Sequence, residues 1–234
     1  VYWTIKYRRR PGVAPPPSPH HNTPLEILWT VVPSSALLVI FVLGFWGYMQ
    51  KVVPPAGSLE LKVSAWKWGW GVTYPNGAQS PETQPLSEGE IGYPIFYVPE
   101  DSDIDLRMSS MDVIHAFWVP DFRTKFDVFP NRYTGFTFRT PRLNPGETII
   151  DRSGEQPVEL PGRDMWIFCA EYCGDDHSRM AATLRIVPRQ VYEQKLESWN
   201  ADLPPVELGK RIFETRCATC HTVDGSPGTG PTWR

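Results

Sequence analysis

MWIFCAEYCGDDHSRMAATLRIV, residues 165–187, consists of two short strand-like segments joined by a loop rich in metal donors. MWIFC (165–169) is a short apolar run and ATLRIV (182–187) alternates apolar and polar residues, and both read as strands. Between them Cys169, Cys173, His177 and Met180 bring two thiolates, an imidazole and a thioether into twelve residues. A strand, a donor-bearing loop and a second strand place the chemistry at one end of a β domain.

Further segments of the same kind surround this one: LELKVSAW (59–66), PIFYV (94–98), DIDLRMS (103–109) and TGFTFRT (134–140). Turn signals such as Pro75-Asn76-Gly77 and Asn144-Pro145-Gly146 separate them, so residues 51–188 are expected to form a sandwich or small barrel. Twenty-five prolines and 18 glycines among 234 residues suit that domain and argue against an all-helical fold, while 41% apolar residues supply a core. SGEQPVELPGRD (153–164) reads as a long surface loop. Trp66, Trp68 and Trp70 alternate as if on one strand, all toward one face, either packed in the core or meeting a partner. Beyond Pro188 the spacing of Val191, Lys195, Leu196 and Trp199 predicts a helix that Asp202-Leu203-Pro204-Pro205 ends, giving a helix and linker over 189–205.

The donor set in the loop suits copper, since soft sulfur and borderline nitrogen ligands favour it, whereas zinc sites do without a thioether. A second thiolate distinguishes the loop from a one-copper site, because both sulfurs can bridge two ions. Such a pair calls for a second histidine, and His115 in MSSMDVIHAFWVP (108–120) is the candidate from a separate strand. The plainer readings stay open here: a Cys169–Cys173 disulfide, and His115 as a packed core residue.

Toward the N-terminus, no residue from Ile27 to Gln50 is charged, and residues 25–50 are long enough to cross a bilayer as one helix, which Pro33 is placed to kink. KYRRR (6–10) precedes it, so the positive-inside rule puts residues 1–24 in the cytoplasm and everything after Lys51 outside. The basic cluster points to a membrane surface and not to nucleic acid. VYWTIKYRRR reads as the end of an earlier membrane helix followed by its basic stop, so residues 1–24 are expected to be that helix end and a cytoplasmic loop. Glu26 stands at the cytoplasmic start of the helix, either as a helix N-terminal charge or as a functional acid near lipid.

Toward the C-terminus, Cys217-Ala218-Thr219-Cys220-His221 is a C-x-x-C-H sequence, in which two thioethers attach a haem c covalently and the histidine binds its iron. A thioredoxin-like pair or half a zinc site needs no histidine directly after the second cysteine. Gly209 and Phe213 precede it at the spacing of class I cytochromes c, and Gly230-Pro231 resembles the loop that supports the proximal histidine. Residues 206–234 therefore read as the N-terminal part of a helical cytochrome c domain.

SSMDVIHAFWVPDFRTKFDVFPNRYTGFTF (109–138) followed by CAEYCGDDHSRM (169–180) resembles subunit II of haem-copper cytochrome c oxidases, and HNTPLEILWTVVP (21–33) and WKWGWGVTYPN (66–76) extend the likeness. The resemblance implies a mainly β chain: a transmembrane anchor, a cupredoxin-like Greek-key barrel, and the start of a cytochrome c domain as in the caa3 type. It implies a binuclear copper centre, CuA, bridged by Cys169 and Cys173, with His115 and Met180 on one copper, and His177 with the Glu171 carbonyl on the other. The Glu171 carboxylate would reach a magnesium ion shared with subunit I. Trp68 matches the position where electrons come in, and Glu26 the mouth of a proton-uptake channel. Partners implied are oxidase subunits I and III, a lipid membrane, and cytochrome c or a cytochrome c reductase complex as donor. Asp112, Asp121, Asp175 and Asp176 would offer an acidic docking surface, or are ordinary solvated surface. The location implied is a bacterial inner membrane, with the copper and cytochrome domains on the periplasmic face. Asn131 stands where the family usually has glycine, and the 141–164 loop is longer than its usual counterpart. The rival readings are the CuA subunit of a nitric oxide reductase and a non-enzymatic, membrane-anchored zinc or disulfide module.

Overall fold

The computed structural model describes residues 1–234 apart from 15, 16, 18, 85–91, 155, 202, 214–216, 218–220, 227–229 and 234. Residues 1–48 and 49–234 are two separate compact units. The first holds a short helix, α1 (Tyr2–Lys6), and most of α2 (Thr23–Val52). At the start of α2 the Leu25 N–H donates to Asn22 Oδ1 (3.3 Å) and the Asn22 N–H donates to Glu26 Oε1 (2.9 Å). This reciprocal cap occupies donors that a first helical turn leaves unpaired. Thirty residues at the helical rise extend about 45 Å. Uncharged from Ile27 to Gln50, α2 is long and apolar enough to cross a bilayer.

The second unit contains β1 (Leu59–Trp66), β2 (Gly69–Thr73), β3 (Thr83–Gln84), β4 (Tyr93–Pro99), β5 (Asp103–Ser110), β6 (His115–Val119), β7 (Thr124–Val128), β8 (Thr134–Arg139), β9 (Thr148–Asp151), β10 (Val158–Pro161), β11 (Arg163–Cys169) and β12 (Ala181–Val187). One sheet has the order β2-β1-β5-β8 and the other β3-β4-β12-β11-β6-β7, with a separate β10-β9 ribbon. Two strand pairs, β1 with β5 and β4 with β12, run parallel. Burial explains the sequence patterns. Along β1, Leu61, Val63 and Ala65 are buried while Glu60 and Ser64 are exposed, the alternation of a strand with one face in water. β12, between β4 and β11, is buried at every position, so Thr183 and Arg185, which gave the segment the look of a half-buried strand, are buried with the rest. The inner faces of both sheets share one apolar core, and the expected cupredoxin-like, mainly β fold is present.

Two expectations are corrected. Trp66, Trp68 and Trp70 do not lie on one strand: β1 ends at Trp66, a two-residue turn holds Lys67 and Trp68, and β2 begins at Gly69. The hairpin sends Trp70 into the core (1% exposed) and Trp66 to the outside (39% exposed). There the Trp66 indole lies across β2, where side chains at Gly69 or Gly71 would meet its ring at about 3 Å. The 153–164 stretch is not simply a loop, because β10 pairs with β9 from Val158↔Asp151 to Pro161↔Thr148 and β11 has begun by Arg163.

The helix expected after Pro188 is α3 (Arg189–Ala201), followed by α4 (Pro205–Ile212). Leu196 is buried and Val191, Lys195 and Trp199 are half-buried, as their spacing requires, and Tyr192 joins them in the core. Of the residues expected to end the helix, Asp202 lies outside those described. Asn131 has φ 60°, a left-handed conformation that asparagine adopts more readily than other side chains, so it can replace a glycine there.

Candidate metal centre

Four of the loop donors and His115 come together at the end of the sheet formed by β6, β11 and β12. β6 and β11 are paired through Phe168↔Trp118 and Cys169↔Phe117, which sets His115, two residues before Phe117 on β6, beside Cys169. The loop then closes on itself: the Cys169 N–H donates to the Met180 carbonyl (3.1 Å) and the Ala170 N–H to the Ala116 carbonyl (3.0 Å). Gly174, at φ 121°, takes a conformation that L side chains rarely adopt, and the His177 N–H then donates to the Gly174 carbonyl (3.1 Å).

The resulting distances are short. Cys169 Sγ and Cys173 Sγ are 3.9 Å apart, too far for a disulfide, and both thiols are free. His115 Nδ1 is 3.8 Å from Cys169 Sγ, and His177 Nδ1 is 3.5 Å from Cys173 Sγ. Met180 Sδ is 3.8 Å from Cys173 Sγ, and the Glu171 carbonyl oxygen is 3.1 Å from Cys169 Sγ. His115, Cys169, Cys173 and Met180 are buried, His177 is half-buried and the Glu171 side chain is exposed. Burial, and after it the neighbouring Cys169, pushes the Cys173 thiol up to about 12. A Cys173 thiol raised this way keeps its proton until a cation displaces it, as metal sites built on cysteine require. The donors fit a copper pair: two sulfurs face each other, and each has one nitrogen or thioether and one further donor within reach.

Asp112 is a residue of this site that the loop spacing did not reveal. Its Oδ1 accepts from His115 Nε2 at 2.9 Å and from the Val113 N–H at 2.6 Å, and its Oδ2 accepts from the Lys67 N–H at 2.8 Å. Burial acts to raise its carboxyl, but these bonds outweigh it and hold the group at about 2. The carboxylate therefore fixes the proton of His115 on Nε2 and leaves Nδ1 as the ligand atom. Asp112 is thus engaged inside the site, whereas Asp121 and Asp175 are exposed and Asp176 is half-buried, 3.9 Å from Arg179.

The same aspartate holds the turn that carries Trp68. The Trp68 indole lies on the ligand loop: a side chain at Gly174 would meet its ring at 3.2 Å. It lines a cleft of about 430 Å³ with Trp66, Tyr93, Asp176 and Arg179, and its Nε1 is buried without an acceptor among the described residues. Trp70 touches the edge of His115, with ring centroids 6.1 Å apart.

In the C-terminal segment, His221 donates from Nδ1 to the Pro231 carbonyl at 2.8 Å and packs on Trp233 with ring centroids 4.8 Å apart. Trp233 in turn packs on Phe213 (5.6 Å), and the His221 N–H donates to the Cys217 carbonyl (2.8 Å). A histidine whose Nδ1–H is bound to a carbonyl offers Nε2 as a metal ligand, so the described part of the motif fits a haem. Cys220 lies outside the described residues.

The cytochrome c family matches residues 206–234. "Cytochrome c oxidase subunit 2" of Alkalihalophilus pseudofirmus is 29% identical over 234 aligned residues, which cover 94% of this chain and 60% of that protein. The protein of the same name from Cereibacter sphaeroides is 28% identical over 76% of this chain and 61% of its own length. The chain thus spans about six-tenths of the length of these relatives. The crystal structure of the periplasmic domain of subunit II of cytochrome oxidase (CoxB) of Bradyrhizobium japonicum superposes with a TM-score of 0.50 at 21% identity, over 65% of this chain and all of that one. That likeness concerns the fold. Along most of its length the chain is therefore similar to subunit 2 of cytochrome c oxidases, and it ends in a segment that matches cytochrome c.

Proposed function

We propose that this chain is the electron-transfer subunit II, with a fused cytochrome c segment, of a respiratory cytochrome c oxidase. In this reading electrons from cytochrome c or a cytochrome c reductase complex come in through haem c and pass by way of CuA to haem a of subunit I. Dioxygen is reduced to water there, and protons are pumped. The observation that carries the proposal is the convergence of His115, Cys169, the Glu171 carbonyl, Cys173, His177 and Met180. Nothing in a zinc or disulfide module calls for Met180 Sδ beside Cys173 or for free thiols 3.9 Å apart.

A copper pair held by Cys169, Cys173, His115, His177, Met180 and the Glu171 carbonyl would supply a one-electron carrier. The chain's part is to hold the donors still. The β6–β11 pairing and the Cys169–Met180 backbone bond fix the cradle, Asp112 fixes the His115 tautomer, and burial keeps water away. Trp68, resting on Gly174, is the aromatic group at which electrons would come in. Cys217, Cys220 and His221 would hold the haem. The exposed Glu171 carboxylate would bind magnesium, completed by groups of subunit I. Glu26 is assigned to proton uptake on the resemblance alone; in the structure its carboxylate caps α2. α2 would anchor the chain in a bacterial inner membrane beside subunits I and III, with residues after Lys51 on the periplasmic side.

The test is metal and haem content of the full chain. A copper pair and a haem that survives denaturation through thioether bonds are expected. Zinc, or no metal, in the 169–180 site would overturn the reading.

A further inference from the structure

Between the copper ligands and the C-x-x-C-H motif the chain first runs away from the site. β12 starts beside the ligand loop at Ala181 and ends at Val187, about 20 Å further on at the usual strand rise. α3 then leads back. Arg189 at its start donates to Ser102 Oγ (3.0 Å), while Lys195, nearer its end, reaches Glu82, whose carbonyl accepts from Ile95, the register partner of Thr183. Lys195 and Trp199 both lie against Tyr97, the register partner of Arg185, so the later turns of α3 lie level with Arg185, near the middle of β12.

Glu82 is the hub of that contact. Its carboxylate accepts Lys195 Nζ at 2.8 and 2.9 Å and Trp199 Nε1 at 3.1 Å from α3. From the β domain it accepts the Tyr97 hydroxyl at 2.6 Å and the Ser153 hydroxyl at 2.9 Å. Lys195 also reaches Asp151 (3.3 Å), which pairs with the fully buried Arg185 (2.8 Å). The Trp199 ring packs on Tyr74 and Tyr97 at 5.5 and 5.6 Å. Among the described residues, Glu82 thus receives both side-chain donors of this part of the helix, Lys195 and Trp199; the Lys195–Asp151 contact and the Asn76 amide on the Leu196 carbonyl (3.5 Å) are the other polar anchors there. α3 ends at Ala201 and α4 begins at Pro205, so the joint between them spans at most about 14 Å.

We propose that Glu82 is a positioning residue for electron transfer: by locking α3 to the β domain it fixes the base from which the short joint carries the haem-binding segment, and so limits that segment's reach around the copper site. The inference rests on the proposed function, and it adds a role for a residue that touches neither cofactor. It places the pivot of the cytochrome segment after residue 201, with α3 belonging to the copper domain.

The test uses the full chain with copper and haem bound, as wild type and as Glu82→Gln, Lys195→Met and Trp199→Phe. Hydrogen exchange of residues 189–201 should quicken by about tenfold or more in Glu82→Gln, with exchange in β11 and β12 and the copper spectrum unchanged. Trp199→Phe keeps the ring packing and should give a smaller change in the same direction. In Glu82→Gln and Lys195→Met, electron transfer from haem to copper after flash reduction should become several-fold slower and spread over a range of rates. Unchanged protection of α3 in all three variants overturns the lock. Loosened α3 with wild-type transfer kinetics overturns the positioning role while the electron-transfer reading stands. A wild-type chain without copper or haem defeats that reading and the positioning role together, before any variant is compared.

Discussion

Asp112 shows how one carboxylate can organise a centre without binding a metal. It accepts His115 Nε2–H and, through its other oxygen, the Lys67 N–H beside Trp68. Asp112→Asn replaces a charged acceptor by a neutral amide that can also turn the wrong way. Copper affinity is expected to fall by about 10- to 100-fold, and the imidazole signals of the paramagnetic spectrum to shift, with the fold intact by circular dichroism. Copper titration measures the first effect; an unchanged affinity would show that His115 needs no such partner. The sequence displayed the loop donors because they crowd into twelve residues of one loop. His115 was legible only as the complement that a bridged pair demands. Asp112 was not singled out as its partner, because an aspartate three residues before a histidine is a common pattern until a strand start brings both to one end of the sheet.

At the level of elements, tight turns decided what the sequence could and could not convey. Turns marked by Pro, Asn and Gly were readable, but the β1–β2 hairpin turns at Lys67 and Trp68, which carry none of the usual turn chemistry. Alternating tryptophans across it therefore imitated a single strand. The β9–β10 ribbon was hidden for another reason: Val158–Pro161 is only four residues long and ends in proline, which argues against a strand, and its apolar residues are not buried in the core. At the corner that follows, a side chain at Gly162 would come within 2.9 Å of the Ile186 carbonyl, and backbone cannot move aside. Gly162→Ala is expected to destabilise the domain by about 1–3 kcal/mol, read as a lower denaturant midpoint with an unchanged slope. Equal midpoints would mean that the corner relaxes freely.

For the whole molecule, charge buried between elements governs the response to acid. Burial acts to raise the Asp151 carboxyl, but bonds from Ser153 and the charges of Arg185 and Lys195 hold it at about 2, and Glu82 is lowered as well, by Lys195 and Tyr97. A carboxyl whose folded value lies below its unfolded value of about 4 stabilises the fold above that pH and loses this contribution as the pH falls toward about 2. Stability should therefore be flat near neutrality and decline between pH of about 4 and 2. Asp151→Asn should lower stability at pH 7 by about 3 kcal/mol, because it strips a partner from buried Arg185, and should flatten that acid slope. Equal slopes in chemical denaturation against pH would contradict the assignment. The two-unit organisation was legible in the uncharged run of α2 and the alternation of the strands, and the anchoring of α3 only in part, since Lys195 and Trp199 shared its buried face but Glu82 lies 113 residues from Lys195. Topology is tested in right-side-out membrane vesicles, where added protease should digest residues beyond 59 and spare residues 1–22. Electron paramagnetic resonance of the full chain, together with metal analysis, tests the copper pair directly. Two copper ions in the 169–180 site are expected, with the hyperfine pattern of one unpaired electron shared by both nuclei. Zinc, an empty site, or the pattern of an electron confined to one copper would contradict the copper pair.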